Sequence, residues 1–447
     1  MTSDTLTSTS LTTQPHTYPN GWRLARVGDV FRFTKKPREL QIAAYETIPF
    51  VPMEYIPIGE TNFSSFQRRS IDELTSGTYI EDGDLLIAKI TPSFENGKQG
   101  IIEGLPLPFG YATTEVISTK EIPGISDKRF LACYLLRTGV RSALAAKMEG
   151  STGRQRLSSG TLANWEIMLP PLPEQRAIAR VLRAAQNTIT ARRREVALER
   201  ERKAALMQRL FTHGTRGEPT KQTEIGEMPA SWQVVQLGTL CQNLQYGTSL
   251  RCASEPIGLP VLRIPNVIGG QIDTSDLKYL ALSETEAQSL RLEQGELLFV
   301  RTNGRKEYTG RCAVFDGEPE QALFASYLIR AKIKRNLALP NFVRVYSETF
   351  AGRQQLGGRA SNAADGKYNI NTQTIRTTLT PLPPLDEQRE ITAILASCDA
   401  HIAALEREIT LHDELFRALL EELMSGRLSA LNVANGEELL SNAKTHQ

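Results

Sequence analysis

A long tandem repeat dominates the amino-acid sequence. LPPLPEQRAIARVL, starting at Leu169, returns as LPPLDEQREITAIL at Leu382, and seven of the first eight letters are identical. The offset is 213 residues (382 minus 169), far longer than the repeating unit of a solenoid or a propeller. Each copy therefore contains a whole domain and a helix rather than one small supersecondary unit.

Weaker similarities precede the repeated segment in the same order. A Pro-x-x-Trp occurs at Pro19 and at Pro229, and a strand-like GDLLIAK at Gly83 returns as GELLFVR at Gly295. We expect globular domains at 19–168 and 230–381, a central helix at 169–213 and a C-terminal helix at 382–426. A disordered tail at 1–18, a linker at 214–229 and a polar tail at 427–447 complete the predicted organisation.

Both predicted helices carry apolar residues at alternating steps of four and three, which is the heptad spacing of coiled coils. In the first helix Arg192, Glu199 and Lys203 interrupt this seam. The residues predicted to pair the helices are Ile178, Leu182, Ile189, Leu206, Leu210, Ile391, Leu395, Ile402, Leu405, Ile409, Leu419 and Leu423. The alternative is that each amphipathic helix lies on its own domain.

The charges of the two helices favour their pairing with each other. Residues 174–212 contain ten Arg and Lys against four Glu, whereas residues 387–424 contain nine acids against three Arg. Two similar units in one chain tend toward a pseudo two-fold arrangement, which makes such helices antiparallel. The predicted fold class is α+β, with two similar globular domains separated by two long helices that pair as an antiparallel coiled coil.

Composition excludes several classes of protein. The 447 residues leave room for two domains of ordinary size and two helices. No apolar run approaches the roughly 20 residues that span a bilayer. The five cysteines are odd in number and form no C-x-x-C, which indicates free thiols in the cytoplasm rather than disulfides.

Two domains held apart by a rigid bar suit an extended partner such as double-stranded DNA. Arg and Lys donate to guanine and Asn pairs with adenine, so residues of these types after the repeated strand are the best candidates for base contacts, and polar and basic clusters elsewhere are further candidates. The DNA-binding candidates are Lys35, Lys36, Lys89, Thr91, Ser93, Asn96, Lys98, Thr152, Arg154 and Gln155 in the first half, and Tyr246, Thr248, Arg301, Asn303, Arg305, Lys306, Arg359, Ser361 and Lys367 in the second. For any one of them, a solvated surface charge is the alternative.

The sequence contains no recognisable catalytic motif. No glycine-rich loop has the spacing of a nucleotide-binding site, and the Pro-Pro pairs are not followed by the aromatic residue of amino methyltransferases. Asp365 and Lys367 have the D-x-K spacing of some nucleases, which is common by chance. The five histidines form no metal-binding spacing. We therefore expect no catalytic activity, no metal and no cofactor.

The doubled PPL-x-EQ motif resembles the specificity subunit of type I restriction-modification systems. Further matches are GDLLIAKITPSFENGK at Gly83, GSTGRQRLS at Gly150, YGTS at Tyr246 and VLRIPNVIGGQID at Val261, and the resemblance extends from about Tyr18 to Gly426. It implies that the globular parts are target recognition domains, each for one half of a split DNA sequence. It also implies that the helices set the gap and dock two methyltransferase subunits, through which restriction subunits join.

One departure from the motif is small: Pro173 stands where the second copy has Asp386. A coiled-coil scaffold that binds only proteins remains the alternative function. This alternative would account for the helices but would assign no function to the two similar domains.

Overall fold

The computed structural model describes residues 19, 21–151, 153–363 and 366–432. It divides into two compact units. Unit 1 runs up to Glu195 and resumes at Leu405, and unit 2 comprises Val196–Ala404. Each unit contains one globular domain together with half of each long helix. The expected tails at 1–18 and beyond residue 432 lie outside the described residues.

The domain of unit 1 has mixed secondary structure. Its strands are β1 (Arg23–Arg26), β2 (Phe31–Phe33), β3 (Thr47–Val51), β4 (Asn62–Phe63), β5 (Gln67–Ser70), β6 (Thr78–Glu81), β7 (Leu85–Ala88), β8 (Gln99–Ile102), β9 (Phe109–Ala112), β10 (Val116–Glu121) and β11 (Glu166–Leu169). Its short helices are α1 (Val27–Val30), α2 (Lys128–Tyr134), α3 (Thr138–Ala145) and α4 (Ser159–Ala163). The long helix α5 (Leu172–His213) follows.

Three sheets organise this domain. The largest has the strand order β2-β10-β7-β8-β4, a second has the order β5-β3-β9-β6, and β1 pairs with β11. All four residues of β7 are buried, as expected for a central strand covered on both faces. The main apolar core combines this sheet with α2 and with the adjoining ends of both long helices.

Unit 2 has a closely similar element order. Its strands are β12 (Thr220–Thr223), β13 (Gly226–Pro229), β14 (Gln233–Gln236), β15 (Cys241–Tyr246), β16 (Leu259–Leu262), β17 (Lys278–Leu280), β18 (Leu297–Val300), β19 (Thr302–Asn303), β20 (Cys312–Val314), β21 (Leu323–Phe324), β22 (Leu328–Ile333), β23 (Ser361–Asn362), β24 (Tyr368–Asn369) and β25 (Leu379–Leu382). Its helices are α6 (Leu237–Leu240), α7 (Ile264–Val267), α8 (Glu284–Leu290), α9 (Pro340–Glu348), α10 (Phe350–Gln355) and α11 (Thr372–Arg376), and α12 (Leu385–Met424) ends the order.

Unit 2 repeats sheets of unit 1 and adds the sheets β12-β13 and β19-β24-β23. The order β15-β22-β18-β20 repeats β2-β10-β7-β8, and β14 pairs with β25 as β1 pairs with β11. In both units the strand after a positive-φ glycine, Gly83 or Gly295, is the buried centre of the main sheet. The repeated GDLLIAK and GELLFVR motifs are therefore equivalent structural elements.

The carboxylate in that motif has a local structural role. Asp84 accepts a hydrogen bond from the Glu81 amide at 2.9 Å, and Glu296 accepts one from the Glu293 amide at 3.0 Å. Burial raises the pKa of both carboxyls. These acids close the turn that enters the central strand in each unit.

The long helices pack against each other within each unit. In unit 1, Ile178 and Leu182 of α5 belong to the same core as Leu420 and Leu423 of α12. In unit 2, the core joins Leu210 to Ile391 and Leu395. Higher numbers on α5 thus meet lower numbers on α12, and the pairing is antiparallel, as predicted. The alternative of two helices that lie only on their own domains is wrong.

Two of the three polar interruptions of the seam, Arg192 and Lys203, form ion pairs between the helices, whereas Glu199 pairs with Arg202 within α5. Arg192 contacts Glu408 at 3.0 Å in unit 1, and Lys203 contacts Asp399 at 2.5 Å in unit 2. Arg193 adds a contact with Asp413 at 3.0 Å. The prediction that a basic helix pairs with an acidic one is confirmed.

The glutamine of PPL-x-EQ joins each long helix to the domain before it. Gln175 is fully buried, accepts a hydrogen bond from the Asp127 amide at 2.9 Å and donates to the Pro170 carbonyl at 2.8 Å. The equivalent contacts of Gln388 are with the Leu339 amide at 2.8 Å and the Pro383 carbonyl at 2.9 Å. The motif is repeated because the same junction is built twice.

The glutamate of the motif binds the end of the other helix. In unit 2 the fully buried Glu387 accepts hydrogen bonds from the Thr215 amide and from Trp232 Nε1, both at 2.9 Å. In unit 1, Glu174 accepts one from the Ala430 amide at 2.8 Å. The start of each long helix is thereby tied to the segment that follows the other.

A glycine with positive φ follows each long helix, Gly214 at 64° and Gly426 at 74°. A Cβ on Gly426 would lie 2.5 Å from Pro19 Cδ, and one on Gly214 would lie 3.1 Å from Pro229 Cγ. These prolines begin the two Pro-x-x-Trp motifs. The first residues of each domain therefore pack against the end of a long helix, α12 in unit 1 and α5 in unit 2.

No helix within the described ranges combines the length and the apolar character needed to cross a membrane.

Candidate nucleic-acid interface

In unit 1, the two candidate regions that are distant in sequence meet beyond the end of β7. The Leu157 amide donates to the Lys89 carbonyl at 2.7 Å, and the Thr91 amide donates to the Gln155 carbonyl at 3.0 Å. Ile90 and Arg156 form the β-bridge between these contacts. The structure thus brings the predicted segments 89–98 and 154–156 together at one edge of the main sheet.

A third segment, immediately before β10, completes this edge. The Lys89 amide donates to the Glu115 carbonyl at 2.9 Å. The Arg156 guanidinium donates two hydrogen bonds to the Glu115 carboxylate, from Nε and Nη2, both at 2.9 Å. These hydrogen bonds are the main cause that lowers the pKa of Glu115. The carboxylate is therefore ionised at neutral pH and fixed in orientation.

The loop that follows Lys89 is held by other parts of the domain. Arg141 is largely buried, and its Nη1 donates to the Phe94 carbonyl at 3.3 Å. Burial lowers the pKa of Arg141 to about 10. Lys98 Nζ donates to the Met53 carbonyl at 2.8 Å, so the side chain of this candidate stabilises the loop.

The other candidates of unit 1 differ in exposure. Thr91 donates to Glu95 at 2.8 Å, which closes the loop on itself. Lys35, Lys36, Asn96 and Arg154 are exposed, whereas Ser93 and Gln155 are half-buried. Thr152 lies outside the described residues.

Unit 2 builds the same edge with the same backbone hydrogen bonds. The Arg301 amide donates to the Tyr327 carbonyl at 2.9 Å, and the Ile370 amide donates to the Arg301 carbonyl at 2.9 Å. Thr302 pairs with Asn369 as Ile90 pairs with Arg156. The equivalent positions are therefore Lys89 and Arg301, Glu115 and Tyr327, and Arg156 and Asn369.

Arg301 is oriented by its neighbours in unit 2. Its guanidinium lies 4.8 Å from the ring centre of Tyr246, and its Nη1 donates to the Ser326 carbonyl at 3.3 Å. The Tyr246 hydroxyl accepts a hydrogen bond from the Thr372 amide at 3.2 Å. Two of the predicted residues, Tyr246 and Arg301, thus form one partly exposed cluster.

The remaining candidates of unit 2 differ in their local contacts and exposure. Thr248 is buried, and its hydroxyl accepts from the Leu250 amide at 3.2 Å, so its side chain stabilises a turn. Arg359 donates to Thr377 Oγ1 at 2.7 Å. Asn303 accepts from the Arg305 amide at 3.0 Å, Ser361 donates to the Asn369 carbonyl at 3.3 Å, and Arg305, Lys306 and Lys367 are exposed.

Sequence reasoning did not single out Glu115 or Tyr327. Each stands one residue before the strand that pairs with the repeated motif, β10 in unit 1 and β22 in unit 2. An alignment of TTEVIS with ASYLIR would have placed them at one position. Glu115 and Tyr327 gave no such signal, because the candidates beside the repeated strand were basic, amide and hydroxyl side chains.

Two repeated α+β domains with paired long helices define a class of tandem-domain protein. Known proteins have the same fold. Residues 19–200 match the family model described as the type I restriction modification DNA specificity domain. The chain is 23% identical to the EcoKI specificity subunit of Escherichia coli K12, over 95% of this chain and 92% of that one. It is also 23% identical to the MjaVIII specificity subunit of Methanocaldococcus jannaschii, over 93% of this chain and 95% of the relative.

A solved structure shares the fold. It is a chain from a study of complex assembly and conformational transition of the type I restriction-modification system, with a TM-score of 0.59 and 18% identity. The match covers 93% of this chain and 100% of that chain. The predicted resemblance to type I specificity subunits is confirmed, and so is the predicted fold class.

Proposed function

We propose that this chain is the sequence-specific DNA-recognition subunit of a type I restriction-modification complex. Each domain recognises one half of a bipartite target, and the long helices set the gap between the halves. The relatives that this chain matches over nearly their whole length are named as specificity subunits, which supports this assignment.

One observation in the structure carries the proposal. Units 1 and 2 present the same backbone framework at the edge of the main sheet, yet the side chains on it differ in charge and shape. Divergent side chains on a repeated framework are what two readers of different half-sites require. Contacts with bases specify a sequence, whereas contacts with phosphates only position the protein.

The helices also offer a surface for methyltransferase subunits. Leu198 and Leu411 occupy equivalent positions in the two copies, 213 residues apart, and are 65% and 64% exposed. A single exposed leucine is ordinary on a protein surface, but its recurrence at the equivalent position of both copies supports a docking point that is repeated with the helix. We infer one methyltransferase subunit per copy, and restriction subunits join through them.

In this proposal the chain has no catalytic role of its own. It acts in the cytoplasm, where its cysteines stay as free thiols. Purified alone, it should neither methylate nor cleave DNA and should not hydrolyse ATP. Methylation of DNA by the isolated chain with S-adenosylmethionine would refute this part.

The decisive experiment is copurification with a methyltransferase subunit, followed by sequencing of the methylated sites. We expect one bipartite motif with a fixed gap. A stable complex whose methylation shows no sequence dependence would favour the scaffold that binds only proteins. The same complex with Leu198 and Leu411 changed to Gln should lose the methyltransferase subunits while each unit keeps its fold.

A further inference from the structure

The two units allow a comparison that a single domain would not. Three equivalent positions lie side by side at the edge of each main sheet, and the side chains at all three differ. Unit 1 has Lys89, Glu115 and Arg156, and unit 2 has Arg301, Tyr327 and Asn369.

We propose that these three positions determine the half-site of each unit, and that the Glu115–Arg156 pair of unit 1 reads an exocyclic amino group of cytosine or adenine. This inference rests on the proposed function, because it presumes that the edge of the sheet faces DNA.

The chemistry of the pair supports a reading role. A carboxylate offers about four lone-pair sites and a guanidinium five N–H donors. The two hydrogen bonds between Arg156 and Glu115 leave acceptor capacity on Glu115 and donor capacity on Arg156. Glutamate accepts from the amino group of cytosine, and arginine donates to guanine O6 and N7.

The accessibility of the pair fits this role. The Arg156 side chain is 51% exposed and the Glu115 side chain 23% exposed. An isolated exposed carboxylate would repel phosphates, but Arg156 and the nearby Lys89 balance its charge. The mutual hydrogen bonds also fix both groups before DNA binds, so little side-chain entropy is lost on binding.

Unit 2 recognises a different chemistry at the same place, because no carboxylate stands there. Tyr327 replaces Glu115 and is 56% exposed, and the Asn369 amide replaces Arg156. An Asn amide pairs with adenine N6 and N7, and an aromatic ring gives apolar contact with a base. Exchange of these residues should therefore alter one half-site and leave the other unchanged.

The test uses the full chain in complex with its methyltransferase subunits, and methylated-site sequencing of four variants. Glu115→Gln turns one carboxylate oxygen into a donor, and we expect it to relax or change one base position in one half-site by about ten- to hundred-fold. Tyr327→Ala should change only the other half-site. Glu166→Gln, the same substitution at an exposed residue of β11, is the matched control and should change nothing.

The reciprocal double variant Glu115→Arg with Arg156→Glu separates reading from a purely structural ion pair. It restores an ion pair at the same place but moves the acceptor from position 115 to position 156, so the original half-site should not be recovered. Full recovery of the original half-site would overturn the inference, as would an unchanged motif in the Glu115→Gln variant. If a variant does not methylate, competition binding with duplexes changed at single positions of one half-site gives the same readout.

Failure of the proposed function would look different. In that case the wild-type complex itself would show no bipartite motif, whatever the variants do. A bipartite wild-type motif with unaltered variants would leave the proposed function standing and remove the inference alone.

Discussion

Removal of the Glu387 carboxylate tests whether the repeated motif holds the helix ends. Glu387 is fully buried and accepts from the Thr215 amide and Trp232 Nε1, each at 2.9 Å. Glu387→Ala leaves the buried Trp232 Nε1 without a partner, at a cost of about 1–3 kcal/mol, and removes the acceptor of the half-buried Thr215 amide, at a smaller cost of about 1 kcal/mol. We therefore expect unit 2 to lose about 2–4 kcal/mol of unfolding free energy.

Two further variants, each with a smaller expected effect, test the same expectation. Glu387→Gln keeps one carbonyl oxygen but turns an NH2 group toward the second donor, so it should cost about half as much. The matched control is Glu390→Gln, because Glu390 bonds the Thr215 hydroxyl but is exposed. That control should change the unfolding free energy by less than about 1 kcal/mol.

Urea unfolding of the full chain measures these differences. Trp232 is fully buried in the affected junction, so its fluorescence reports on unit 2 when Trp22 and Trp165 are replaced by Phe. A Glu387→Ala midpoint indistinguishable from the wild-type midpoint would show that the junction contributes no stability, and the reasoning would be wrong.

Three further predictions concern the helices and the units. Asp399→Lys places a like charge opposite Lys203 and should lower the melting temperature most at low salt. The added change Lys203→Asp should restore most of the lost melting temperature. If it restores none, the 2.5 Å contact between Lys203 and Asp399 does not contribute to stability. Exchange of residues 19–168 for the matching domain of a relative should change one half of the methylated motif, and changes in both halves would contradict the proposed modularity. Insertion of seven residues after Ala197 and after Ala404 preserves the heptad seam and adds about 10 Å to the paired helices. The preferred gap should then lengthen by up to about three base pairs at about 3.4 Å each, and an active variant with an unaltered gap would refute the role of the helices as spacers.

The helices were the most predictable part of the molecule, because their seam is a local pattern. Heptad spacing identified the residues that face inward, and opposite charge identified the partner helix. The sequence did not reveal why PPL-x-EQ is repeated. Gln175 and Glu387 act through contacts with residues distant in sequence, such as Asp127 and Trp232, and no spacing rule reports those contacts.

The candidate interface was predictable only in outline. The sequence nominated the segment after the repeated strand and the 154–156 region separately, and it did not predict that the two are neighbours in the structure. The role of each side chain depended on tertiary contacts: Lys98 binds the Met53 carbonyl, and Thr248 is buried. Glu115 was missed because its partner Arg156 lies 41 residues away.

The glycine junctions bear on how such a chain could have evolved. In unit 2, the contact of Gly214 with Pro229 is made by continuous chain, whereas in unit 1 the equivalent contact joins Gly426, near one end of the sequence, to Pro19, near the other. The packing is thus compatible with either copy coming first in the sequence. A gene cut between the codons for residues 217 and 218, with residues 432 and 19 joined by a short linker, should encode a circularly permuted protein with the same junctions. The same fold could then arise from duplication and fusion of a gene for one copy, with the ends of the fused gene at either of the two junctions.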